Sequence, residues 1–376
     1  MAGIYLHIPF CKRKCHYCNF FSVPSLKRKD LFLEALHREI IAQKDYLKKE
    51  IIRTIYFGGG TPSMLAKDEI ENVLEILNKN YQVSSEAEIT LEANPDDLSM
   101  KKLGELAKTS INRLSIGVQS FFDEDLHYLN RVHNAEEALR SVPNAQDLGI
   151  SNISIDLIYG IPGLTMSKWE DNLEQFFNLN IPHLSAYSLT VEPNTALDVL
   201  IRKKKAEPVN EKESINHFKT LIRQTKANEY VHYEISNFAK KGFYSKHNSL
   251  YWMGGNYLGL GPSAHSYNGE SRQWNVSNLA KYLQLINVSR QVFEKEKLSE
   301  IQRFNEYVMT SIRTSWGCNI DFIKNNFGKP YCNHIIKASS KHIKSEHIKQ
   351  QHHILYLTDQ GKLFADGIAA DLFMEE

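Results

Sequence analysis

Three of the chain's five cysteines, Cys11, Cys15 and Cys18, lie within eight residues of one another in the stretch HIPFCKRKCHYCNFFS, spaced C-x3-C-x2-C. Thiolates are soft ligands that suit zinc or iron-sulfur clusters, and both centres ordinarily take four ligands. Here the chain offers three, because position 20 is Phe20 where a fourth cysteine could have stood. A zinc site would have to recruit His16 or a distant residue, and zinc sites usually pair two C-x2-C knuckles, of which the sequence has no second. A [4Fe-4S] cluster on three cysteines leaves one iron without a protein ligand, free to bind a substrate or cofactor. The remaining Cys318 and Cys332 stand alone and read as small buried hydrophobes.

Other chemistry-bearing residues recur where strands should end. A glycine run, YFGGGTPS, follows a β-rich stretch and allows close backbone approach to a ligand. Glu92 in LEANPDD, Gln119 in IGVQSF and Asp156 in IDLIYGIPG close three further β-rich runs. Ligands of parallel α/β folds sit at the carboxyl ends of strands, where side chains of several units converge.

The elements that must position these groups alternate as β/α units. Candidate strands are 3–8, 53–57, 87–92, 112–118, 152–158 and 183–189. Between them Leu31, Ala35, Leu36 and Ile40, then Ile70, Val73, Leu74 and Leu77, then Leu103, Leu106 and Ala107 repeat at helical spacing. Continuous apolar strands with one-sided helices predict a parallel α/β fold, either a barrel or an open doubly wound sheet. A charged connector with Lys203, Lys204 and Lys205 leads to a helix near 211–227 and a strand YVHYEIS; an aromatic, glycine-containing stretch reading as loop follows. From about residue 299 the texture becomes helical, closing with a hairpin strand, a turn and a helix capped by Asp359, with Leu363, Ile368 and Leu372 on its inner side. The expected domains are 1–298 and 299–376.

Length and charge set outer limits. A chain of 376 residues, 42% hydrophobic and 24% charged, can bury a substantial core and contains no apolar run long enough to span a bilayer. Its net charge of +1 gives no global field toward nucleic acid, so no nucleic-acid partner is expected. His334, His342, His347, His352 and His353 are irregularly spaced among lysines and read as a solvated face. The start MAGIYLHIPF lacks the features of a secretory signal, and the cytoplasm is the expected compartment.

C-x3-C-x2-C after a first strand, with aromatic Tyr17 before the third cysteine, resembles the radical S-adenosylmethionine (SAM) superfamily. YLHIPFC, GGGTPS, LEANPDD, RLSIGVQSF, LNRVH and IDLIYGIPG, in this order, resemble its oxygen-independent coproporphyrinogen III oxidase-like branch over nearly the whole chain. The resemblance implies a partial (β/α)6 TIM-like barrel with a small, mainly helical, winged-helix-like C-terminal domain. It implies a [4Fe-4S] cluster on Cys11, Cys15 and Cys18, with SAM on its open iron, where one electron can cleave SAM to a 5′-deoxyadenosyl radical. Tyr5, Tyr17, Gly59, Gly60, Thr61, Glu92, Gln119, Arg131 and Asp156 would contact SAM, Arg131 suiting its carboxylate.

True oxidases of this branch resemble C-x3-C-x2-C-x-C and carry an N-terminal extension, so Phe20 and the short start depart from them. The chain is instead similar to the branch's heme chaperones, whose further mark, H-N-x-x-Y-W, is matched by His247, Asn248, Tyr251 and Trp252 in KHNSLYW. That similarity implies heme as cargo, with His247 an axial ligand to iron oriented by Asn248 and the two aromatics facing the porphyrin. It implies heme-accepting proteins, respiratory enzymes among them, as partners, and leaves room for a homodimer and for peripheral membrane association through a partner. The rival readings are a porphyrinogen oxidase and a zinc-stabilised binding module.

Overall fold

A computed structural model describes residues 2–375. Six β/α units come first: β1 (Ala2–Ile8), α1 (Lys29–Ala42), β2 (Ile52–Gly59), α2 (Lys67–Asn80), β3 (Val83–Ala93), α3 (Met100–Leu106), β4 (Arg113–Gln119), α4 (Asp123–Tyr128), α5 (Ala135–Asp147), β5 (Ile153–Tyr159), α6 (Met166–Asn178) and β6 (His183–Ser188). Strands β1 to β6 are parallel and adjacent in chain order, which is the topology of a partial TIM-type barrel. The strand-to-helix turns are encoded locally. Ser99 caps α3 by accepting from Lys102 N at 3.2 Å, Thr165 caps α6 in the same way, and Asn134 with Glu137 forms a capping box at α5.

The pleat divides each strand into two faces. Ile4, Leu6, Ile8, Ile55, Phe57, Leu91 and Leu114 join the helices in one hydrophobic core. The alternate residues Thr54, Glu88, Thr90, Arg113, Ser154 and His183 are buried as well; Ser154 bonds His183 at 2.6 Å, and Thr54 and Glu88 bond His247. The barrel interior is therefore polar. On the helices, α2 buries Ile70, Val73, Leu74 and Leu77 as their spacing predicts, whereas the inner face of α1 is Phe32, Leu33, Ala35, Leu36 and Ile40, and Leu31 is 54% exposed.

After β6 come α7 (Ala196–Arg202), the exposed lysines 203–205, α8 (Glu211–Ala227), β7 (Val231–Glu234) and β8 (Asn237–Ala239). The stretch expected to be loop, residues 243–269, is ordered structure, with α9 (Lys246–Trp252), β9 (Asn256–Leu260) and β10 (His265–Tyr267); β11 (Ser271–Asn275), α10 (Leu279–Asn287) and β12 (Phe293–Lys297) follow it. Strand β9 runs parallel to β1 on the side opposite β2, and β10 to β12 extend the sheet outward. Glycine here serves close packing, since a Cβ on Gly259 would lie 2.1 Å from the His265 carbonyl oxygen.

The last segment holds α11 (Glu300–Ile312), β13 (Cys318–Asn319), α12 (Ile320–Phe327), α13 (Lys329–Lys344), β14 (Ile348–Gln351), β15 (Ile354–Leu357) and α14 (Ala365–Asp371). Its helices and three-stranded antiparallel sheet enclose a second core, from Phe304 to Leu372, in which Cys318 and Cys332 are buried. Asp359 does not cap α14: it pairs with Lys362 at 2.8 Å, the helix starts only after Phe364, and Leu363 packs on the larger core. No helix among the described residues is long and apolar enough to cross a membrane.

Candidate cluster and cofactor site

The loop after β1 and the carboxyl ends of β2 to β6 enclose a cavity of about 470 Å³. Cys11, Cys15, Cys18, Tyr17, Gly59, Gly60, Thr61, Glu92, Gln119, Arg131 and Asp156 all line it. Tyr5 does not; it lies beneath, inside the barrel, with its hydroxyl 3.3 Å from His7 Nδ1 and its ring stacked on Tyr56. Sequence reasoning missed Asn94, which donates to Thr61 Oγ1 at 3.2 Å and accepts from Arg131 Nη2 at 2.6 Å. It also missed Tyr187 at the end of β6. Both were within reach of the strand-end argument, Asn94 lying two residues beyond Glu92.

The cysteine loop is held from outside. Lys12 pairs with Asp96 at 2.7 Å and with Asp97, tying the loop to the turn after β3. Asn130 donates to the Lys14 carbonyl at 2.9 Å. All five cysteines are free, and burial pushes the Cys11 thiol up and the Cys18 thiol up to about 11. Such thiols keep their protons until a soft metal displaces them. The donor set fits an iron-sulfur cluster: three sulfurs share one cavity, and His16, the imidazole a zinc site would recruit, is engaged with the Tyr128 carbonyl at 3.1 Å and lies outside the lining. Arg131 spans both halves of the site, its Nη1 donating to Cys15 Sγ at 3.2 Å and its Nη2 to the Gly117 carbonyl at 2.8 Å. Its buried Nε has no partner, which leaves a donor for a bound anion.

Two carboxyls face the same space. Burial, with Asp156 nearby, raises Glu92 to about 7, against hydrogen bonds from Tyr56 at 2.8 Å and Gly59 N at 3.1 Å; burial raises Asp156 to about 6. Since both folded values lie above the unfolded ones, the empty site is favoured in acid and loses that advantage as pH rises through 6 to 7. A cationic ligand has the opposite preference, because it favours the ionised carboxylates. SAM, a sulfonium, should therefore bind more tightly as pH rises from 5.5 to 7.5, by up to about tenfold per pH unit for each group still protonated, with proton release. Calorimetry in buffers of different ionisation enthalpy checks this; flat affinity and buffer-independent heat would contradict it. Gln119, at φ +69° in the left-handed region, adds local strain on the order of 1–3 kcal/mol beside the site.

The four residues expected to contact heme lie elsewhere. His247, at the start of α9, is 1% exposed, with Nδ1 2.7 Å from Thr54 Oγ1 and Nε2 2.8 Å from the Tyr251 hydroxyl. Burial lowers its pKa to about 3, and both ring nitrogens are engaged, so the ring is neutral and has no free lone pair for iron. Thr54 and Tyr251 orient it; Asn248 makes its backbone bond to the capping Ser245. Tyr251 and Trp252 line a second cavity, beside the C-terminal segment. Of the downstream histidines, His334 bonds the Phe373 carbonyl at 2.9 Å and His342 meets Asp371 at 3.1 Å, each held separately.

A parallel barrel whose strand ends and three-cysteine loop enclose one cavity defines the radical SAM class, and residues 5–176 match the model of the radical SAM superfamily. Over 374 residues the chain is 33% identical to the heme chaperone HemW of Bacillus subtilis, covering 98% of both chains. It is 35% identical over 266 residues to HemW of Escherichia coli, covering 70% of this chain and 69% of that one. The chain belongs to the HemW family of radical SAM proteins. Among solved structures, the coproporphyrinogen III oxidase HemN of Escherichia coli matches with a TM-score of 0.85 at 22% identity, over 99% of this chain and 90% of that one, a likeness of fold. Membership of the radical SAM superfamily implies a [4Fe-4S] cluster and SAM.

Proposed function

We propose that this protein is a cytoplasmic heme chaperone that binds heme, a [4Fe-4S] cluster and SAM and passes heme to acceptor proteins. The observation that carries the reading is the mouth of the first cavity: three thiols line it, and Phe20, 63% exposed, occupies the place where the oxidase pattern has its fourth cysteine. Relatives named heme chaperones, similar over nearly all of the chain, support it.

Cys11, Cys15 and Cys18 would hold the cluster and leave one iron open. Gly59, Gly60 and Thr61 would receive the methionine end of SAM, Arg131 its carboxylate, and Glu92, Gln119 and Asp156 would hydrogen-bond the rest, with Tyr17 closing one side and Tyr5 packing from below. When bound, the two cofactors supply one-electron chemistry. Residues 1–298 would carry this site and 299–376 a helical domain that helps handle the cargo.

Anaerobic reconstitution followed by parallel titration with SAM, heme and coproporphyrinogen III tests the proposal. The expected result is one bound heme that moves to an apo-acceptor, with coproporphyrinogen III recovered intact. Decarboxylated product, or failure to bind heme, would overturn it.

A further inference from the structure

The second cavity holds about 610 Å³, within the range of roughly 300–1,000 Å³ typical of small-molecule sites. Its walls come from two parts of the chain. Trp252, Tyr257 and Tyr267 stand on the β9–β10 side, and Tyr307, Trp316 and Phe322 on the C-terminal side. The rings brace one another, Tyr251 edge-on to Tyr257 at 4.5 Å and Tyr307 stacked on Phe322 at 4.4 Å. At this cavity Met253 is 54% and Phe322 42% exposed, apolar surface that a flat ligand would cover.

The charges are cationic on balance. Arg272 is paired with Glu306, whose Oε2 is buried without a partner, and Arg303 lines the cavity with no ion pair among the described residues. Arg272 offsets Glu306 and leaves Arg303 as the uncompensated charge. Aromatic walls with such a cation select a planar aromatic carboxylate.

Resting on the heme-chaperone reading above, we propose that this cavity is the heme seat, with Arg303 taking a propionate, Arg272 beside it, and the porphyrin plane between the two aromatic walls. His247 stays behind the wall and positions Tyr251.

The test uses the full-length reconstituted protein, hemin, and hemin dimethyl ester, which lacks free carboxylates. Arg303→Glu should weaken hemin binding by roughly tenfold or more, the worth of a charge-assisted contact, while leaving ester binding unchanged; Arg303→Lys should recover most of the loss. Thr310→Trp, which fills the cavity, should weaken both ligands to a similar or larger extent. Retained cluster and SAM binding shows that the barrel of each variant is folded, and an unchanged thermal melt shows that the second core is. If the parent protein binds one hemin and both Arg303→Glu and Thr310→Trp bind it equally well, the seat lies elsewhere and the chaperone reading stands. Absence of hemin binding by the parent overturns both.

Discussion

Cys15→Ser should leave a folded protein that no longer assembles its cluster, with the broad visible absorption gone and iron and acid-labile sulfide lost together. A serine oxygen is a hard, weakly acidic donor where iron-sulfur centres take soft thiolate, and three thiols leave no spare. Changes in residues that merely support a metal ligand commonly cost about 10–100-fold in affinity, so loss of a ligand should exceed about 100-fold. Stability should hardly move, by about 0.5 kcal/mol or less, because Cys15 is a half-exposed loop residue outside both cores. Its side chain accepts a hydrogen bond from the Arg131 guanidinium at 3.2 Å, and Arg131 keeps Asn94 and the Gly117 carbonyl when that bond is lost. Full retention of iron and sulfide would remove Cys15 from the ligand set.

Gly59→Val should abolish measurable SAM binding while Gly104→Ala leaves it intact. Gly59 has φ +106°, which β-branched residues do not adopt without strain, and a Cβ there would lie 2.6 Å from His7 Nδ1. His7 cannot easily yield, since its Nε2 is 2.8 Å from the Phe21 carbonyl. The Gly59 N–H also donates to Glu92 Oε2 at 3.1 Å, so displacing the turn moves a carboxylate of the site. The combined effect should exceed about 100-fold in affinity, with on the order of 1–3 kcal/mol lost in stability. Gly104, within α3, has open space where its Cβ would go, and alanine there should stabilise by about 0.5–1 kcal/mol. Calorimetric titration with SAM, beside thermal melts, separates the two variants; equal affinities would reject the placement of Gly59.

The six barrel strands were legible because each is a short apolar run between turn signals, and burial of alternate faces against helices enforces that pattern. The stretch from 243 to 269 was not. Strand β9 exists because β1 offers it a free edge some 250 residues away in sequence, a pairing that no local alternation of its own, NYLGL, announces. Leu31 shows a smaller limit: several phases of a leucine- and phenylalanine-rich helix look apolar, and only packing chooses among them.

The three cysteines, the glycine turn and the strand-end polar groups were fixed by the order of residues alone, because a ligand loop and the ends of successive strands are local features repeated in register. His247 marks the opposite case. The resemblance to heme chaperones implies an iron ligand, but folding places it against Thr54 of β2 and stacks it 5.0 Å from Tyr56, whose hydroxyl meets Glu92 of the first cavity, while Tyr251 on its other side lines the second. Whether an imidazole binds metal or braces a wall depends on which groups reach its two nitrogens. Those partners came from strand β2 and from the same helix one turn on, so only the tertiary structure could decide.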